Sequence, residues 1–163
     1  MPTAAKTPGL KQHLEALAAT AHSADELMRG IVALLHERMS DFNWVGFYML
    51  ETPPDGQPPV LVLGPYVGAP TPHTRIPLNQ GICGAAASSG NTVVVDDVQS
   101  DPRYLACSVE TKSEIVVPIF VRGRVVGELD IDSHSPAAFG PEARALVEHC
   151  ARLVGNYLEK SHS

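Results

Sequence analysis

The sequence predicts an α+β fold: a central antiparallel sheet with N- and C-terminal helices on one face and loops covering a ligand pocket on the other. Three features predict it. Apolar residues recur at helical spacing near both ends of the chain. The middle holds short apolar runs rich in aromatic and β-branched residues, separated by proline- and glycine-rich loops. Two of those runs, EIVVPIFV and VVGELDIDS, are joined only by RGR, which makes them antiparallel neighbours.

Residues 1–8 read as a flexible N-terminus, and 9–163 as one domain. Leu10, Leu14, Leu17 and Ala18 form the apolar stripe of a first helix from Gly9 to about Ala21. Ser23 followed by Glu26 is a capping-box signature for a second helix. That helix buries Leu27, Ile31, Leu34 and Leu35, and Asp41 closes the segment. FNWVGFYML (42–50) is aromatic and β-branched and reads as a strand. The loop tip ETPPDGQPP leads to a returning strand, VLVLGPYV, and the prolines of GAPTPHT interrupt the pairing before a short strand, RIPL. NQGICGAAASSG reads as a small-residue helix ended by Gly90. TVVVDDV (92–98) is a strand that runs into the loop QSDPRYLACSVETKS, long enough to suggest function. After the EIVVPIFV–VVGELDIDS hairpin, PEARALVEHCARLVGNYLEK forms the last helix, with Pro141 at its start.

The 163 residues suit a single core, and a formal net charge of −6 with scattered basic residues argues against nucleic acid or an anionic membrane as partner. No segment has the roughly 18–20 continuous apolar residues of a membrane span. The N-terminus lacks the apolar core and cleavage site of a signal peptide, so a cytoplasmic location is expected. Three cysteines do not make a disulfide framework, and the seven histidines form no zinc-binding spacing. No metal or other cofactor is expected.

The chemistry concentrates in a few residues. Cys107 lies in the long polar loop and Cys83 between glycines in GICG, and each reads as either a packed side chain or a working thiol. Cys150 falls in the apolar stripe of the last helix and reads as core. Asp130 and Asp132 share one face of their strand. Pairing about Gly123 puts Glu114 opposite Asp132. Like charges opposite one another destabilise a sheet, so the three carboxylates imply a cationic ligand or a carboxyl held protonated. Trp44 and Tyr48, four apart on a strand, share a face and suit either core or the wall of an apolar pocket.

Together NWVGFY, LGPYVG, RIPLNQGICGAAA, ACSVETKSEIVVP and GELDIDS resemble the free methionine-(R)-sulfoxide reductases, a cytosolic family built on a single GAF domain. The resemblance runs from about Asn43 to Ser133. It implies thiol-dependent reduction of free L-methionine (R)-S-oxide through a cysteine sulfenic acid and an intramolecular disulfide that thioredoxin recycles. Cys107 and Cys83 match the family's catalytic cysteines, and either could be the attacking sulfur. Glu114, Asp130 and Asp132 match the carboxylates that hold the substrate ammonium, and Trp44 and Tyr48 the aromatics around its methyl end. The family's usual third cysteine, just before RIP, is replaced by His73. A homodimer through the terminal helices is compatible with this scaffold. The alternative is a GAF sensory domain that binds a small molecule without chemistry.

Overall fold

The computed structural model describes residues 9–104 and 110–161. Along the chain these form α1 (Leu10–Thr20), α2 (Ala24–Arg38), β1 (Trp44–Glu51), β2 (Val60–Val67), β3 (Arg75–Pro77) and α3 (Gly81–Ser89). Then follow β4 (Val93–Val95), a 3₁₀ turn (Val98–Ser100), β5 (Ser113–Val121), β6 (Arg124–Ser133) and α4 (Pro141–Ser161). The strands make one antiparallel sheet in the order β3-β2-β1-β6-β5-β4, so β1, β6 and β5 lie side by side at its middle.

The period-two pattern of those strands divides the interior. Val45 and Phe47 of β1, Ile115 and Ile119 of β5, and Leu129 and Ile131 of β6 point to one face. There they pack with Leu10 and Leu14 of α1, Ile31 and Leu35 of α2, and Val147 and Val154 of α4. Full burial of each such side chain contributes about 1.5–3 kcal/mol, which makes this cluster the main source of stability. The opposite face carries a smaller cluster that includes Trp44, Tyr48, Ile76, Cys83, Ala86 and Val116. The short helix α3 packs against β5 and β6 on that side, so a helix as well as loops covers the second face. No helix among the described residues is long and apolar enough to cross a membrane.

The end of α2 and the start of β1 differ from expectation. The helix stops at Arg38, and Met39 bonds its N–H to the Leu35 carbonyl. Phe42 then donates its N–H to the Met39 carbonyl in a turn and packs against Phe139, the two rings tilted with centres 5.5 Å apart. Phe42 is therefore apolar because it is core, not because it is strand. At the start of α2 the Ser23 hydroxyl accepts the Glu26 N–H at 3.0 Å, and Glu26 Oε2 accepts the His22 N–H at 3.0 Å. The strand expected over 92–98 is confined to Val93–Val95 because the Asp97 carboxylate accepts the Gln99 N–H and starts the 3₁₀ turn.

The β5–β6 hairpin also has more detail than RGR suggests. Val121 pairs with Arg124, so the turn consists of Arg122 and Gly123, both with positive φ (52° and 79°), the primed geometry that matches strand twist. A register shift between Ile119 and Phe120 follows, with Val126 the extra residue. Beyond it Glu114 stands opposite Asp132, the pairing expected from a centre at Gly123.

Candidate active site

A narrow pocket opens on the face of the sheet away from the three long helices. Trp44, Tyr48, Cys83, Glu114, Asp130 and Asp132 all line it. Trp44 pairs across the sheet with Asp132 and Tyr48 with Glu128, so the aromatic wall and the acidic strand run side by side.

The indole of Trp44 lies flat over Gly46, where an added Cβ would sit 2.4 Å from the ring. Glycine at this position is what allows the ring to rest on the strand. Its Nε1 donates to the Ala69 carbonyl at 3.0 Å, and it stacks on Tyr66 with ring centres 5.5 Å apart. The Tyr48 hydroxyl donates to the main-chain carbonyl of His73 at 2.6 Å. His73 thus anchors the aromatic wall through its backbone, at the position where the resemblance leads one to look for a cysteine. The polar tips of both aromatics are satisfied by main-chain carbonyls, and both side chains line the cavity.

Opposite that wall the carboxyls are almost fully buried: Glu114 is 5 %, Asp130 5 % and Asp132 3 % exposed. Burial pushes the Glu114 carboxyl well above the usual range, and the charges of Asp130 and Asp132 push it the same way. Burial likewise raises Asp130, partly offset by Glu114 and Cys83. Cys83, placed by the first turn of α3, donates its thiol to Asp130 Oδ2 at 3.3 Å. Burial and the surrounding acids, Asp130 foremost, hold this sulfur as a thiol well above its ordinary pKa. The sulfur and the carboxyl oxygens of Glu114 and Asp130 lie within 4.8 Å of one another, close enough to gather on one small cation. Asp130 Oδ1 is buried without a hydrogen bond among the described residues. An acidic floor of this kind stays protonated when empty and ionises when a cation arrives.

Six of the seven residues singled out from the sequence therefore line one cavity. Cys107, the seventh, lies outside the described residues. Cys150 is fully buried in the helix-side core, where burial pushes its thiol up to about 12. Sequence reasoning missed Glu128, which continues the acidic face of β6 by one more alternation and is completely buried. The signal was present in GELDID, where acids fall at every second residue. Thr71 and Tyr104 also line the cavity, but they come from irregular segments and no periodicity marks them.

The GAF domain model matches residues 23–158. The chain belongs to the GAF domain family. Within it, this GAF domain sits with the free methionine-R-sulfoxide reductases. It is 42% identical over 101 residues to the protein of that name from Escherichia coli, covering 62% of this chain and 57% of that one. The chain spans less than two thirds of the length of two curated relatives that it matches, this one among them. Among solved structures it is similar to the free methionine-R-sulfoxide reductase from Neisseria meningitidis in complex with its substrate. That match has a TM-score of 0.83 at 38% identity and covers 94% of this chain and 88% of the other. A putative GAF sensor protein from Burkholderia vietnamiensis superposes over the whole of both chains with a TM-score of 0.88 at 30% identity.

Proposed function

We propose that this GAF domain reduces free L-methionine (R)-S-oxide to L-methionine with its own thiols. The observation that carries the reading is the buried acidic floor of Glu114, Asp130 and Asp132 facing an aromatic wall, with the Cys83 thiol between them. The substrate ammonium docks on the three carboxyls, each charge-assisted contact contributing about 1.5–3 kcal/mol. A sulfoxide within a peptide has no ammonium at this point, which gives selectivity for the free amino acid. The methyl end packs on Trp44 and Tyr48.

Cys107 attacks the sulfoxide sulfur while one of the crowded carboxyls protonates the oxygen. Methionine leaves, and Cys107 becomes a sulfenic acid. Cys83 then closes a disulfide, which thioredoxin reduces. The acids that hold Cys83 as a thiol support this division of labour, because an attacking sulfur must be a thiolate. The reading places the enzyme in the cytoplasm, where thioredoxin is kept reduced, and allows a homodimer through the terminal helices.

The test couples NADPH oxidation through thioredoxin reductase and thioredoxin to racemic free methionine sulfoxide. Consumption should stop at half the substrate, and Cys107→Ser should abolish it; full multiple turnover by that variant overturns the reading. The whole-chain likeness to a putative sensor supports a second reading, binding without chemistry. It predicts a ligand-induced change in Trp44 fluorescence with no NADPH consumed.

A further inference from the structure

Glu128 has no role in the reaction as proposed, yet it occupies an expensive position. It is completely buried, and neither carboxyl oxygen is hydrogen-bonded among the described residues. Its cross-strand neighbours are Tyr48 on β1, whose hydroxyl is committed to the His73 carbonyl, and Pro118 on β5, which has no donor. The groups that face it are the Cys83 thiol from α3 and the carboxyl of Asp130 two residues along β6, with Glu114 of β5 beyond. A buried acid without a partner costs several times what an apolar residue of the same size would. Its position therefore calls for a chemical role, and the adjacent reactive atom is the sulfur of Cys83.

We infer that the Glu128 carboxyl relays the proton of the Cys83 thiol when that sulfur closes the disulfide. The inference rests on the reductase reading above. In the step, the S–O bond of the sulfenic acid breaks and the S–S bond forms. Burial pushes the Glu128 carboxyl well above its usual range, so it rests protonated: one oxygen takes the thiol proton as the other gives its own to the departing hydroxide, which leaves as water. The oxidation brought in by the sulfoxide ends up shared between the two sulfurs. Asp130 accepts the thiol's hydrogen bond at rest, but it lines the cavity and its charge answers the substrate ammonium. Glu128 does not line the cavity, so it remains available whatever occupies the pocket.

The test follows Cys83 itself. In the reduced protein its alkylation by iodoacetamide is read by peptide mass spectrometry across pH, for the wild type and for Glu128→Gln. Glu128 is among the acids that hold the Cys83 thiol protonated, so in the glutamine variant the alkylation midpoint should move to lower pH even as disulfide closure slows. During a single turnover, disulfide formation should fall about 100-fold relative to methionine release, the size of a lost general base. The waiting sulfenic acid is trapped with dimedone. Glu128→Asp keeps the acid but withdraws it by one methylene; it should give an intermediate shift and supplies the same comparison where the glutamine variant does not fold. An unchanged alkylation profile and an unchanged ratio in a folded variant overturn the inference. A wild type that releases no methionine at all sinks the reductase reading instead and leaves the alkylation result to be judged alone.

Discussion

Gly46→Ala places one methyl group under the indole that forms the pocket wall. The new Cβ would lie 2.4 and 2.6 Å from two carbons of the Trp44 ring and 2.9 Å from the Tyr66 Cβ. Ordinary carbon contacts need about 3.5–4.0 Å, so the ring must lift by roughly 1 Å. Lifting it stretches the hydrogen bond from Nε1 to Ala69, which contributes about 0.5–1.5 kcal/mol. It also disturbs the stacking on Tyr66 and Tyr48, each pair contributing about 0.5–1.5 kcal/mol. Partial loss of all three gives about 2–3 kcal/mol, at the upper end of the usual cost of overpacking. For a chain of this size that lowers Tm by roughly 4–12 °C. The assay is unusually direct because Trp44 is the single tryptophan of the chain. Its emission reports the pocket and nothing else, so urea titration and the emission maximum can be followed in one experiment. Stability within about 0.5 kcal/mol of wild type, with unchanged emission, would refute the reasoning, since surface changes fall in that range.

Three further outcomes can be checked. Asp130→Asn should raise KM for free methionine sulfoxide about tenfold or more through loss of a charge-assisted contact, and a KM equal to that of a distant surface variant removes the ammonium site. The raised carboxyls of Glu114 and Asp130 mean that the folded state holds more protons than the unfolded chain above about pH 4. Stability of the empty protein should therefore fall as pH rises from there through the raised folded values. Urea midpoints at pH 5 and pH 8 measure it, and Glu114→Gln should flatten the slope; a midpoint that rises with pH contradicts the buried floor. Cys150, with its thiol pushed to about 12 and no exposure, should resist iodoacetamide at pH 8 in the native protein. Labelling at the rate of a free thiol would show that the helix-side core opens readily.

Most of the fold could be read from the chain because its interior is built from regular alternation. Ile115, Val117, Leu129 and Ile131 announce their strands and their buried face, and Leu27, Ile31 and Leu35 announce the second helix. The carboxylates Glu114, Asp130 and Asp132 could be placed on one face for the same reason. Phe42 shows the limit, since an apolar side chain in a turn leaves the same mark as one in a strand. Trp44 was legible as sharing a face with Tyr48, with core and pocket wall both left open, but its reliance on Gly46 was not, because close approach depends on a rotamer. Thr71 and Tyr104 reach the cavity through loop geometry, for which spacing carries no signal. Glu128 stood in plain view beside Asp130, and only the counting stopped one acid too soon.

The additional residue at Val126 determines which way the acids of β6 point relative to β5. Without it a two-residue turn would align Glu114 with Ile131, and either the acids or the aliphatic row would be inverted into the wrong environment. Insertions and deletions between that point and the carboxylates are consequently survivable only in pairs. The arms of this hairpin obey an even-number rule, and its tip is held to residues that tolerate a positive φ, since both Arg122 and Gly123 adopt one.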